Sequence, residues 1–340
     1  MTLRFRDSFA HYATANLASK WSNAGGQTTI QTTGGRWGGQ CLLVPAGGAL
    51  SSLGPSVVLP PAATWYLGVA LLLTGYESQQ YCQLLQVFDA SSPQLAITTD
   101  PNGLLQVRRG SEVGTVLWTD SVPFGLSAWH YLEFGFTVGA TGSFEVRVDG
   151  VTRSGVQSAN TQATTNASAS QFRLGAHMGV SQYCNDLYIL DNAGTVNNTF
   201  LGDVRVQALM PSADGDLSQL TPSSGTTHCN LVNEIPPDGD TSYVSSPTPG
   251  NVDLYQLADL AAVSGSVFDI AVYSFARKDD AGTRTVSDVI KTGGVEYDGA
   301  AQALGTSYTY LTEHWELNPA TGVAWTIADV NALQAGVKVG

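Results

Sequence analysis

The segment Trp129–Gly150, WHYLEFGFTVGATGSFEVRVDG, constrains this chain more than any other. Leu132, Phe134, Phe136 and Val138 fall on one face of an extended chain. Trp129, Tyr131, Glu133, Gly135 and Thr137 fall on the other. After the Gly139–Gly142 turn, Phe144, Val146 and Val148 share a face, and Glu145 and Arg147 take its opposite. A period of two belongs to β-strands. The segment therefore reads as a hairpin with one buried and one wet face, and Asp149-Gly150 forms the next tight turn. On this reading Glu133 and Glu145 lie on the solvated side.

Comparable stretches run from Leu3–Phe9 to Tyr183–Asp191, including Gly35–Val44, Tyr81–Asp89 and Leu104–Arg109. Turn signals such as Asp100-Pro101-Asn102-Gly103 separate them. Asn185–Val206 reads as two strands joined by a polar loop. Helical periodicity is nearly absent. At 340 residues the chain exceeds one typical domain, and its 43% hydrophobic content supplies two cores. Residues 211–250 turn polar and rich in Pro, Ser, Asp and Gly, which predicts a connector. Residues 251–340 predict a second β-rich unit, with strands at Val267–Ala276, Thr283–Lys291, Gly294–Ala300 and Ser307–Thr312. A short helix, Ile327–Leu333, follows, with Thr326 as N-cap and Asp329 at its third helical position, a capping box. Gly336 is expected to end it.

The chain carries 15 basic and 28 acidic residues, a net charge of −13, without a Lys/Arg run. Phosphate binding needs clustered cations, so nucleic acid is not an expected partner. The most apolar run, Trp65–Leu73, is too short for a membrane span and reads as a buried strand. No membrane insertion is expected. The N-terminus lacks an apolar export segment, which predicts synthesis for a cytoplasm. Cys41, Cys82, Cys184 and Cys229 form no CxxC pair and are expected to be free thiols.

Chemistry-bearing patterns are sparse. His11, His130, His177, His228 and His314 form neither HxH nor HExxH spacing and occupy no nucleophile elbow. The E-x-D-x-x-E strand motif of sandwich-fold glucanases is absent, and Glu133 and Glu145 lack a third acid. The expectation is no catalytic residue and no enzyme. Calcium is the one cofactor left open, through Asp149, Asp186, Asp191 and Asn192 at strand ends. The competing role for these residues is turn capping. For sugar binding, Trp21 and Tyr183 are the least clearly buried aromatics, whereas Trp37, Trp65, Trp118 and Trp129 read mostly as core. Trp325, beside the terminal helix, is either core or an interface anchor.

Four stretches occur in a familiar order: GRWGGQCLLV (Gly35–Val44), the W-h-x-x-E hairpin, SQFRLGA (Ser170–Ala176) and NDLYILDNAGTVNNTFLGDVRV (Asn185–Val206). Together they resemble the concanavalin-A-like, laminin-G-type jelly rolls of tailed-bacteriophage virion proteins. HCNLVNEIPPDGDTSYV and the closing W-x-x-NP-x-TG-x-x-WT signature (Trp315–Thr326) resemble the same group. The resemblance implies an all-β chain, with a jelly-roll domain over residues 1–210, a connector over 211–250 and a smaller β-sandwich over 251–340. It further implies a non-enzymatic virion structural protein, made in a host bacterial cytoplasm. Such a protein would be exposed in the tail, fibre or baseplate and contact host-surface glycans. Its partners would be other virion proteins and copies of itself. A capsid decoration protein, head fibre or cement, is the alternative, and a polysaccharide-degrading enzyme the second alternative.

Overall fold

The computed structural model describes residues 2–47, 54–76, 81–176, 179–260 and 264–340, so His177 lies outside the described residues. The fold is nearly all-β, with 47% strand and 5% helix. Contacts divide it into two compact units, Met1–Gln207 and Ala208–Gly340.

The first unit is a sandwich of two antiparallel sheets. Among the described residues the larger has nine strands. Its path is β12 (Val151–Thr152), β11 (Gly142–Val148), β10 (His130–Thr137), β5 (Thr64–Leu73), β15 (Gln182–Asp191), β3 (Cys41–Val44) and β2 (Thr29–Gln31). β1 (Leu3–Asp7) pairs with β15, and β13 (Gln157–Ala159) with β11. The six-stranded sheet runs β4 (Ser56–Ala62), β14 (Ala169–Ala176), β6 (Cys82–Asp89), β7 (Ser92–Thr99), β8 (Leu104–Arg109) and β9 (Thr115–Pro123). The hairpin read from alternation is β10–β11, with Phe134 opposite Val146 and Phe136 opposite Phe144. Inward-facing Leu67, Leu85, Phe172, Leu174 and Ile189 meet between the sheets. Trp65 packs edge-on against Phe172 at 4.7 Å.

The expected wet face of the hairpin is buried on β10 and half-buried on β11. Glu133 is 1% exposed, because the chain leaving β15 returns across the sheet as a strap, residues 192–206. Leu201 and Val204 of the strap pack on Leu3, Ala70, Tyr131, Tyr188 and Leu190. Leu201–Val206 is not the strand its sequence predicts, because side chains take its backbone donors in place of a neighbouring strand. Leu201 N donates to the Tyr188 hydroxyl at 3.2 Å, Gly202 N to Glu133 Oε1 at 2.9 Å and Val206 N to Asp186 Oδ1 at 2.9 Å. Gly68 lies under this cluster, where a Cβ would fall 2.2 Å from the Tyr188 ring and 2.8 Å from that of Tyr131.

Among the described residues the second unit has its own six-stranded antiparallel sheet. Its path is β16 (Pro211–Ser218), β19 (Val252–Leu257), β25 (Gln334–Val339), β21 (Thr285–Thr292) and β22 (Val295–Asp298), with β23 (Gln302–Ala303) on β21. β17 (Thr221–Pro222) pairs with β18 (Val244–Ser245), and β20 (Ile270–Ala276) with β24 (Thr309–Trp315). Residues 211–250, polar enough to read as a connector, thus supply an edge strand of the sheet. Asp214 holds the turn after it, accepting from His228 N and Cys229 N at 3.1 and 2.6 Å. Trp325 is 3% exposed and packs with Ile290, Leu333 and Ala335. Its Nε1 donates to Trp315 O at 2.7 Å. It is core, not an exposed interface anchor. The helix α1 (Ile327–Asn331) opens with the expected Thr326–Asp329 capping box. Gly336, expected to end that helix, lies inside β25, where a Cβ would fall 1.8 Å from Asp253 O.

Candidate functional site

The outer face of the six-stranded sheet in the first unit is the candidate site. Strand register sets two parallel rows across it. Arg173 lies opposite Gln86, Gln86 opposite Ala96, Ala96 opposite Arg108 and Arg108 opposite Val116. In the neighbouring row Gln83 lies opposite Thr98, Thr98 opposite Gln106 and Gln106 opposite Thr119. The residues between them, such as Leu85, Val87, Ile97 and Val107, alternate into the core. A bulge between Gln83 and Leu85 brings both glutamines of β6 to the outer face.

Gln83, Gln86, Thr98, Gln106 and Arg108 are buried. Buried amides and guanidinium groups are costly unless hydrogen-bonded, and here they are linked. Gln83 Nε2 donates to Gln86 Oε1 at 2.9 Å. Gln86 Nε2 donates to Leu95 O and Gly110 O at 2.7 and 3.0 Å. Arg108 donates to Gln106 Oε1, Gly114 O and Thr98 Oγ1 at 2.5, 2.9 and 3.3 Å. This network fixes the side chains before any ligand arrives. Gln83 and Gln106 each commit one amide N–H to a neighbour, Gln106 through a 3.3 Å bond to Thr119 Oγ1. A primary amide has two such donors.

Two aromatic rings border the network. Tyr81, 38% exposed, lies with its ring centroid 3.6 Å from Arg108 Cζ. Arg173 Cζ lies 4.5 Å from the Phe88 ring. Burial pulls the Arg173 guanidinium below its ordinary pKa, with Glu112 acting in the opposite sense. Neither row carries a carboxylate. The sheet face is thus cationic, amide-rich and aromatic on a chain of net charge −13, with Tyr81 exposed and most polar side chains of the rows buried.

The residues expected to bind ligands lie elsewhere. Trp21 is 2% exposed, packed against Phe5 and Phe9, and its Nε1 donates to Asp7 Oδ2 at 2.9 Å. Tyr183 is half-buried within β15, between Leu43 and Leu72. Trp37, read as part of a strand, is instead exposed on a turn. The four calcium candidates form no cluster: among the described residues no group of three or more potential metal ligands converges. Asp149 accepts from Tyr131 N at 2.8 Å and meets His130 Nδ1 at 2.7 Å. Asp191 pairs with Arg4 and caps Ala193 N. Asp186 accepts from Trp37 Nε1 and Val206 N, and Asn192 is exposed. Sequence pattern alone missed the two-row face, because QLLQVF in β6 does not alternate until the bulge is known.

By fold, the first unit belongs with antiparallel jelly-roll sandwiches. No family model and no curated protein sequence matches the chain. Among solved structures, it is similar to the cellulose induced protein Cip1, with a TM-score of 0.42 and 13% identity over 54% of this chain and 96% of that one. An endo-β-1,4-glucuronan lyase from the fungus Trichoderma reesei gives a TM-score of 0.41 and 15% identity over 55% and 94% of the two chains. The alginate lyase Aly36B gives 0.40 and 11% over 56% and 96%. These likenesses are of architecture. Against the expectation of a non-enzymatic protein, two of the three are polysaccharide lyases.

Proposed function

We propose that the first unit is a carbohydrate-active module that binds a uronate-containing polysaccharide across the outer face of its six-stranded sheet and cleaves it by β-elimination. The observation that carries this reading is the pair of rows running from Arg173 and Gln83 to Arg108 and Thr119, fixed by internal hydrogen bonds and free of carboxylates. Glycoside hydrolysis by the common route needs two carboxylates flanking the bond. Elimination needs a cation or amide to neutralise the sugar carboxylate, and a group that moves a proton.

Arg108 and the spare amide donors of Gln83 and Gln106 suit the carboxylate. A guanidinium binds it through charge-assisted bonds, roughly twice as strong as neutral ones. Tyr81 stands over Arg108. The step requires Tyr81 deprotonated, and its oxygen then takes the proton on the ring carbon next to the carboxylate. The electron pair forms a carbon–carbon double bond as the glycosidic oxygen leaves, and the same hydroxyl returns the proton to that oxygen. Arg173 lies three inter-strand steps from Arg108, ~14 Å, and engages a carboxylate further along the polymer.

The test is incubation of the full chain with alginate, glucuronan and neutral cellulose oligosaccharides, following ultraviolet absorbance of the unsaturated uronate. Product from a uronan and none from the neutral chain is expected. Tyr81→Phe should lower the rate by about 10²–10⁴, the range for general acid–base groups, while binding persists. Failure to form unsaturated product from any uronan, or full activity of Tyr81→Phe, overturns the mechanism.

A further inference from the structure

On the other outer face of the same sandwich, the turn between β2 and β3 holds a tryptophan out into solvent. Trp37 is 54% exposed. Large aromatics are usually buried, and a single exposed one needs no explanation by itself. Here the exposure is built. Gly35 N donates to Gly39 O at 2.8 Å, and Gly38 N to Gly35 O at 2.9 Å. Gly34 and Gly38 have φ of +88° and +85°, a region that favours glycine. Arg36 N donates to Asn185 Oδ1 at 2.9 Å. The indole Nε1 donates to the buried Asp186 Oδ2 at 2.8 Å.

Two guanidinium groups flank the ring. Arg36 Cζ lies 4.9 Å from its centroid, and Arg205 Cζ 5.2 Å. They differ in commitment. Arg36 is held by Asp203 through two bonds of 2.6 and 2.5 Å and lies 3.6 Å from Asp186. Arg205 is exposed, and among the described residues its side chain donates no hydrogen bond. The turn thus presents a fixed aromatic plane beside a fork of unused cationic donors.

We infer that Trp37 and Arg205 form a second glycan-binding site, distinct from the Gln/Arg rows, that takes one uronic acid residue. The apolar face of a pyranose stacks on the indole, displacing the exposed Arg205 guanidinium that lies over the ring, while the indole itself is already fixed in position. The Arg205 guanidinium receives the sugar carboxylate as a planar, bidentate partner. Asp203 holds Arg36 and leaves Arg205 as the donor for the ligand. A neutral sugar would gain the stacking alone. With a site on each outer face, the unit can hold two stretches of polymer, and polymer binding then exceeds that of a short oligosaccharide by effective concentration.

This inference stands apart from the elimination chemistry and is read by binding. The indole N–H resonance of Trp37, assigned by its absence in Trp37→Phe, is followed while the full chain is titrated with a mannuronate tetrasaccharide and, separately, with cellotetraose. A saturable shift with the mannuronate and at least tenfold weaker binding of cellotetraose are expected. Arg205→Ala should weaken the mannuronate at least tenfold at this resonance and leave turnover of short uronan oligosaccharides unchanged. Because Arg205 is exposed and, among the described residues, donates no hydrogen bond, that variant should fold, which isolates it from the risk that Trp37→Ala loosens the turn. An unshifted Trp37 resonance, equal binding of cellotetraose, or an Arg205→Ala titration matching the parent overturns the site. Loss of elimination in Tyr81→Phe with the Trp37 titration intact shows the two sites failing separately.

Discussion

The Tyr188 hydroxyl donates to Glu133 Oε1 at 2.6 Å, and both residues are sealed beneath residues 201–206. Burial, with the Glu133 charge next in weight, holds the Tyr188 phenol well above its ordinary pKa, so it stays a donor. The same hydroxyl accepts from Leu201 N, and Glu133 also accepts from Gly202 N. Glu133 Oε2 is buried without a partner. Tyr188→Phe therefore leaves Leu201 N without its acceptor and Glu133 with one donor fewer. It should destabilise the first unit by about 1–3 kcal/mol, the cost of unmade buried hydrogen bonds. Amide exchange at Leu201 and Gly202 should accelerate with it. Unchanged exchange at both amides would show that apolar packing alone holds the strap.

Gly68→Ala tests the same cluster by volume. The added Cβ would sit 2.2 Å from the Tyr188 ring and 2.8 Å from that of Tyr131, and both rings are buried. Overpacking of this kind costs typically about 1–3 kcal/mol. Chemical denaturation should show a lowered midpoint with an unchanged slope.

The second unit should lose stability as pH rises through the neutral range. Asp288 lies fully buried in β21. Burial raises its pKa to about 7, with Glu313 pushing the same way and the Ser274 hydroxyl bond opposing it. The folded chain thus keeps a proton that the unfolded chain releases near the ordinary value of 3.8. Between these values the folded state binds more protons, so stability is greatest below the lower one. It falls by up to about 1.4 kcal/mol per pH unit towards the higher, then levels off. Thermal scans of the full chain from pH 4 to 8 should show one transition moving down. Asp288→Asn should flatten that transition's pH dependence and raise it at pH 8.

Arg173→Ala should raise KM for a uronan polymer while leaving kcat near the parent value. Arg173 lies at the far end of the row from Tyr81, so it contributes binding and not proton transfer. A charged hydrogen bond is worth about 1.5–3 kcal/mol, or roughly 10- to 150-fold in KM. A fall in kcat with KM unchanged would place the reacting sugar at Arg173 instead.

Much of the framework is legible in the sequence because it is local. Alternation in Trp129–Val148 gives the β10–β11 hairpin, Asp100–Gly103 gives the turn closed by Gly103 N on Asp100 O, and Thr326–Asp329 gives the helix cap. The rest depends on segments distant in the chain. Glu133 looks solvated until Gly202, 69 positions later, covers it. Leu201–Val206 has a strand's composition but finds phenol and carboxylate acceptors first. The polar rows need the register of five strands and a bulge, and Trp37 looks like core until the glycines around it are seen to close a turn.

The pairing of β1 with β15 joins Leu3 to Leu190 and Asp7 to Leu187, which bears on synthesis as well as on the finished fold. β1 is the first strand of this unit to be made, and it has no partner until nearly the whole unit has followed. Contacts so far apart in sequence make for slow closure, and an unpaired apolar strand is meanwhile open to association with other chains. The charges at Arg4, Arg6 and Asp7 are the kind that discourage such pairing. Ribosome-bound chains ending before β15 should therefore be protease-sensitive throughout the first unit, with protection arising abruptly once Asp191 has cleared the exit tunnel.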